Sequence, residues 1–291
     1  MNDMAGTNAS AKKKNTKNTV LRVLLYVVVI LICLFTLYPY FVTVCTALKS
    51  RAEIFSINGT IFPIKAIWSN FTDVWKLAPM SSYMLNSIVI AGGSTLLAML
   101  CGIPAAYALS RMKFKGQTAF LGFVIVSQMF APVVLLIGIY KVMMAFHLTN
   151  SIIGLIFINA AFNQAFAIWL LRGTFLSISP EMEQAATIDG CSKYQIYSRI
   201  ILPLMKPSIV TTVIIQFYWK WDDYMGPLLY LSRPQSYTVS IAIKLFADSA
   251  STTDYGAMFA MSTLSLIPVF LIFLFFNRYL VQGIGTSGLK G

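Results

Sequence analysis

Three stretches carry the residue types from which chemistry could be built. The run EMEQAATIDGCSKYQIYSRIILP, at 181–203, puts Glu181, Glu183 and Asp189 in a polar segment between long apolar ones. The run IIQFYWKWDDYMGPLLY, at 214–230, sets Lys220, Asp222 and Asp223 among Trp219, Trp221 and Tyr224. The C-terminal GIGTSGLKG offers Gly283, Gly285 and Gly288 at G-x-G-x-x-G spacing.

Each allows some chemistry and excludes other kinds. On a helix, Lys220 and Asp223 are three apart and can pair on one face, whereas Asp222 points elsewhere, so the two carboxylates are not an acid pair. The flat faces of Trp219, Trp221 and Tyr224 suit sugar C–H groups, and the acids can accept hydroxyl hydrogen bonds. A structural ion pair is the competing reading of Lys220, Asp222 and Asp223. Asn159 and Asn163, four apart, share one helical face and suit helix–helix hydrogen bonding, or more weakly a solute path. The glycines follow a membrane helix and end the sequence, so the strand and helix that would hold a phosphate are not expected. No G-x-x-x-x-G-K-[ST] is present either. His147 is the single histidine, without nearby cysteines or carboxylates, so no metal site is read. No nucleophile–base constellation is found. Cys33, Cys45, Cys101 and Cys191 read as small packing residues. The sequons at Asn58 and Asn70 are too short a pattern to carry weight.

The elements that position these residues are membrane spans. Hydrophobic residues make up 57% of the chain and charged ones 11%, with a mean hydropathy of +0.73, outside the range of soluble domains. Apolar runs long enough for a hydrocarbon core of about 30 Å lie near 19–45, 85–110, 117–140, 151–171, 208–230 and 257–281. The expected fold is an all-α integral membrane protein with six transmembrane helices. The expected organisation is a disordered basic tail at 1–18, a first span and outer loop at 19–84, a core at 85–283 and a short tail at 284–291. Lys220, 13 residues beyond Pro207, then lies about 20 Å along span five, where a charge is expensive and faces water or another helix.

Basic residues set the orientation. Lys12, Lys13, Lys14, Lys17 and Arg22 precede the first span, Arg111, Lys113 and Lys115 fill the second loop, and Arg172, Lys193, Arg199 and Lys206 fill the fourth. The positive-inside rule makes that side, and both termini, cytoplasmic. The net charge of +12 is therefore topology and no nucleic-acid footprint. The outer loop at about 49–84 is rich in Ile, Phe and Trp, and Trp68 and Trp75 suit interfacial anchors.

The polar segment at 181–203 thus hangs in the cytoplasm as two short helices. Ser179 caps the first, Pro180 suits its first position, and Glu181 and Glu183 favour its dipole. Gly190 supplies a left-handed C-cap, and Ser192 and Gln195 have capping-box spacing for a second helix that ends at Pro203. Ala185 and Ala186 keep the first helix thin, so that another protein could approach its backbone. An amphipathic loop on the membrane surface is the blander reading, but anionic lipids would repel Glu181, Glu183 and Asp189.

The segment QAATIDGCSKYQIYSRIILP resembles the EAA loop of ABC importer permeases, E-A-A-x3-G-x9-I-x-L-P, with every spacing kept through Gly190, Ile200, Leu202 and Pro203. The one departure is Gln184 at the motif's glutamate; Glu183 beside it is expected to substitute in part, although it points about 100° around the helix. NSIVIAGGSTLLAMLCGIPAAYALSRMKFKG, IWLLRGTFLSISPEMEQAATIDG and RYLVQGIGTSGLKG resemble the carbohydrate-importer branch, close to the maltose-type second permease subunit. The likeness runs from about Tyr38 to the C-terminus.

The resemblance implies the type I importer permease fold in a prokaryotic plasma membrane. It implies a second, similar permease, ATPase subunits that bind ATP and Mg, and an extracytoplasmic solute-binding protein that delivers a sugar and meets the outer loop. This chain itself would hold no cofactor and would be no enzyme. By resemblance, the helix around Glu183, Gln184, Ala185 and Ala186, with the turn at Asp189 and Gly190, fits a cleft on the ATPase and couples hydrolysis to the spans. A neutral sugar or oligosaccharide is expected over an acidic one. The alternative function is a self-sufficient secondary transporter or channel, for which the inverted repeat often seen in that class is not found.

Overall fold

The computed structural model describes residues 3–57, 59–130, 132–248 and 254–288, and the regular structure among them is helical. The chain up to Phe71 forms one compact unit with Asp254–Thr263, and the rest forms a second. Among the described residues, Leu21–Ala47, Met80–Arg111, Ile152–Ser177, Lys193–Trp221 and Tyr255–Tyr279 are long and apolar enough to cross a membrane. Gln117–Met129 and Val133–Ala145 make a sixth span if that bent pair counts as one.

In the first unit, α1 (Asp3–Ala47) presents apolar side chains outward from Leu21 to Phe41, as a span does toward lipid or another chain. It begins where a disordered tail was expected; extending a helix by a residue costs far less than nucleating one, so the polar start rides on the apolar run behind it. The short α2 (Arg51–Ile54) is capped by Ser50, and Glu53 Oε1 accepts the Ile64 N–H at 2.8 Å. Buried Lys49 donates to the Thr60 carbonyl. Asn70, also buried, donates to the Ala47 and Lys49 carbonyls at 2.8 and 3.1 Å, so its sequon is a structural amide. Asn58 lies outside the described residues. α3 (Ser69–Leu77) begins at the end of this unit and continues into the second, and Trp68 and Trp75 are both exposed.

The second unit is built on α4 (Met80–Arg111), α5 (Gln117–Met129), α6 (Pro132–Ala145) and α7 (Ile152–Ser177). Phe130 has extended backbone dihedrals that end α5, and Pro132 opens α6, so the span expected at 117–140 is two helices inclined at 107°. α4 and α7 approach closely through small residues. A Cβ on Gly102 would sit 2.9 Å from Ala167 Cβ, and one on Gly93 3.0 Å from Ile156. Without a hydrophobic force between helices in lipid, such close backbone contact supplies the packing energy.

α8 (Pro180–Ile188) and α9 (Lys193–Gln195) come next, and a π-helical turn at Ile196–Ile201 runs into α10 (Leu202–Trp221). The second loop helix therefore does not end at Pro203. The Leu202 N–H bonds the Tyr197 carbonyl five residues back, and this wider turn gives the proline ring the room that a regular helix denies it. Span five is displaced accordingly, to Lys193–Trp221 from the expected 208–230. α11 (Met225–Tyr230), a 3-10 turn at Pro234–Ser236, α12 (Val239–Asp248) and α13 (Tyr255–Gly288) complete the order. The Gly283, Gly285 and Gly288 triplet lies within α13.

Candidate functional site

The segment at 179–203 folds as its local residues dictate. Ser179 Oγ accepts the Glu181 N–H at 3.3 Å, and Pro180 takes the first helical position of α8. At the other end Gly190 adopts φ +82°. Its N–H donates to the Thr187 carbonyl at 3.1 Å and the Cys191 N–H to the Ala186 carbonyl at 3.0 Å, the paired bonds of a Schellman cap. The chain then restarts through a capping box. Gln195 N–H donates to Ser192 Oγ at 3.3 Å, and Ser192 N–H to Gln195 Oε1 at 2.8 Å.

Two contacts fasten α8 to the spans. Ala186 is buried among Phe175, Ile196, Ile201 and Met205, under an aromatic layer in which Tyr107 meets Phe175 and Tyr197 at 5.6 and 4.8 Å. Arg111, the last residue of α4, donates from Nε to Glu183 Oε1 at 2.6 Å and from Nη2 to the Ile178 carbonyl at 2.7 Å. The two paired side chains are only 13% and 18% exposed. Breaking such a sheltered pair from one side leaves a charge poorly solvated, which costs more than the pair itself contributes.

These contacts correct two expectations. Ala186 is small because the chain's own core needs the space, so it offers no backbone to a partner. Glu183 is held by Arg111 and is not a free stand-in for the motif's glutamate. The exposed residues of α8 and its flank include Glu181, Met182, Gln184, Ala185, Thr187, Ile188, Asp189 and Gly190, with Tyr194 beyond. Ile188 and Tyr194 are 86% and 76% exposed, a large apolar area for a polar loop.

The second candidate stretch is dispersed by a break in the helix. α10 stops at Trp221, with Asp222 as its exposed C-cap, and Asp223 Oδ1 accepts the Gly226 N–H at 3.2 Å at the start of α11. Lys220 and Asp223 therefore do not share a helical face, and their charged groups are not within 4 Å of each other. Trp221 is buried and donates from Nε1 to the Ser265 carbonyl at 3.2 Å, while Trp219 is exposed and lies 4.6 Å from the Phe166 ring. Tyr224 is half-buried. The aromatic trio is thus not one platform. A Cβ on Gly226 would meet Asp223 Oδ2 at 2.8 Å, so glycine is what admits the capping carboxylate.

A prediction separates capping from charge at Asp223. Asp223→Ala should lower thermal stability in detergent by about 1 kcal/mol, the usual worth of a lost cap, whereas Asp223→Asn, which still accepts the N–H, should stay near wild type. Equal losses in both variants would assign the effect to the carboxylate charge instead.

Asn159 and Asn163 are buried in α7, 4% and 3% exposed, and their Nδ2 atoms have no hydrogen-bond partner among the described residues. Gln216, which the sequence reading missed, joins them from α10 by donating to the Asn163 carbonyl at 3.1 Å. The expected helix–helix bond is thus made to the backbone, and the asparagine amides are left as buried donors. Arg111 was also missed as a site residue, because its position after a span was fully accounted for by topology.

Comparison with known proteins bears on residues 94–286, which match the family model described as binding-protein-dependent transport system inner membrane component. The probable ABC transporter permease protein YurM of Bacillus subtilis (strain 168) is 33% identical over 254 residues, covering 87% of this chain and 84% of that protein. The trehalose/maltose transport system permease protein MalG of Thermococcus litoralis is 28% identical, covering 93% and 97%. A crystal structure of a bacterial ABC transporter involved in the import of the acidic polysaccharide alginate superposes with a TM-score of 0.77 at 20% identity, covering 91% of this chain and 98% of that one. That likeness establishes the fold.

Proposed function

The chain belongs to the binding-protein-dependent transport system inner membrane components, the permeases of ABC importers, and on that premise we propose that it carries a sugar or oligosaccharide across the cell membrane. In this reading it pairs with a second permease, receives its solute from an extracytoplasmic binding protein and is driven by separate ATPase subunits. The ATP and Mg belong to those ATPases, and this chain needs no cofactor of its own. In this reading both termini and α8 face the cytoplasm, which the basic residues flanking the spans support. The sugar assignment draws on relatives such as the trehalose/maltose permease of T. litoralis. A neutral solute is favoured by relatives such as that permease, which is named for two neutral sugars.

One observation carries the coupling role. α8 is fixed on its inner side by Ala186 and by the Arg111–Glu183 pair, yet it exposes Met182 and Ile188 ahead of the Gly190 turn, and α9 beyond the turn exposes Tyr194. Apolar side chains so exposed on a rigid, aqueous loop favour burial by another protein. Gln184 on this face makes that contact through a neutral amide, so the ATPase interface lacks the ion pair that a glutamate there would allow.

The test is co-purification of the tagged chain in mild detergent, followed by mass spectrometry. An ATPase and a second permease should be recovered with the wild type. Ile188→Asp should lose most of the ATPase, by about tenfold, while retaining the second permease, because it places a charge in the apolar docking face. A lone chain that moves solute without ATP would overturn the importer reading.

A further inference from the structure

The ends of α4 are gripped by different parts of the chain, and the two grips lie about 36 Å apart along the helix, enough to join the two mouths of a membrane span. At one end is the Arg111 fork, which holds Glu183 of α8 and the Ile178 carbonyl just before it. At the other, Asn86 Nδ2 donates to the Gln235 and Tyr237 carbonyls at 2.8 and 3.0 Å. One residue on, buried Ser87 accepts the Val239 N–H at 3.0 Å. Asn86 and Ser87 thereby hold the link between α11 and α12.

Between these grips the helix is stiffly supported. Gly102 lies against Ala167, and the Gln164 amide, oriented to satisfy its neighbours, donates to the Ala98 carbonyl at 3.0 Å and accepts the Gly102 N–H at 2.9 Å. That support spans the turn before Pro104, where a membrane helix would otherwise bend most easily.

From these contacts we propose that α4 is a strut that carries displacement of the coupling helix α8 to the segment at 235–239 on the far side of the membrane, with Arg111 and Asn86 as its positioning residues. This rests on the importer reading above. The proposal explains why an arginine that could have stayed on the surface for topology alone is sheltered against Glu183. It also gives the far segment a mechanical input, since its carbonyls and an N–H are bonded to α4 side chains.

If α4 carries the displacement, a change at one of its ends alters the other. The experiment is hydrogen–deuterium exchange of the 232–239 peptide in the purified complex in nanodiscs, with and without ATP plus vanadate, alongside uptake and hydrolysis. In the wild type, nucleotide should change exchange in this peptide, which includes the Val239 amide. Arg111→Gln should abolish that change and reduce solute moved per ATP hydrolysed at least tenfold. The double variant Arg111→Glu with Glu183→Arg should recover part of both.

Asn86→Ala tests the far end independently, and covers the case in which Arg111→Gln fails to assemble. It should retain the ATPase yet transport about tenfold less. A nucleotide response that survives Arg111→Gln, or uptake unchanged in Asn86→Ala, overturns the strut alone. A wild-type complex that recruits no ATPase overturns the importer reading and the strut with it.

Discussion

Replacing Gly190 with valine is expected to cut solute uptake by about tenfold or more while the chain still inserts and still pairs with its second permease. The backbone at Gly190 has φ +82°, where a side chain costs roughly 1–2 kcal/mol and a β-branched one more. Each 1.4 kcal/mol is a factor of ten in the population of the capped turn. The two Schellman bonds to Thr187 and Ala186 depend on that turn, and so does the direction in which α8 presents Ile188 and Asp189. Contact with neighbouring residues is not the cause, because nothing else lies within 4 Å of a Cβ built at Gly190. Asparagine, which tolerates left-handed backbone, should therefore keep most of the uptake. Valine and asparagine variants of equal activity would mean that the turn's conformation does not matter to coupling. The readout is uptake into proteoliposomes alongside ATP hydrolysis, with hydrolysis expected to persist in the valine variant.

That turn was legible in the sequence because its causes are local. Ser179, Pro180, Gly190, Ser192 and Gln195 each act within four residues along the chain, and each takes the expected position. The long spans were legible for a similar reason, since an apolar run of sufficient length has few alternatives. The grip of Arg111 on Glu183 was not, because those residues are 72 apart and meet only when α4 and α8 are packed. Ala186 was misread for the same cause. A small residue on a helix accommodates its own core as readily as a partner, and pattern alone does not separate the two.

The errors at Pro203 and Asp222 have another origin. Proline normally ends a helix, but a π turn ahead of it changes the carbonyl geometry, and nothing in the residue types announces that turn. At Asp222 the apolar and aromatic run continues on both sides, so the pattern predicted one helix where two capped pieces occur. Trp219 and Trp221 diverge for a different reason: both lie on α10 ahead of the break, but two residues apart they point to opposite faces, and one ring is exposed while the other is hydrogen-bonded inside.

Gly102→Val should be the most damaging single change in the membrane core, lowering the yield of monodisperse protein about fivefold or more and destabilising what remains. An added Cβ would lie 2.9 Å from Ala167 Cβ, against the 3.5–4.0 Å usual for carbon contacts, and both atoms are fixed to backbone. α4 and α7 would have to separate, which breaks the Gln164 bonds to Ala98 and Gly102 as well as the packing. Overpacking of this kind costs about 1–3 kcal/mol for a single added methyl, and valine adds more. The compensating pair Gly102→Ala with Ala167→Gly restores the lost space by exchanging the methyl between helices. It should therefore recover most of the thermal stability that Gly102→Ala alone loses in detergent. A double variant no more stable than the single one would show that α4 and α7 do not depend on this close approach, and the stiffness attributed to α4 would lose its basis.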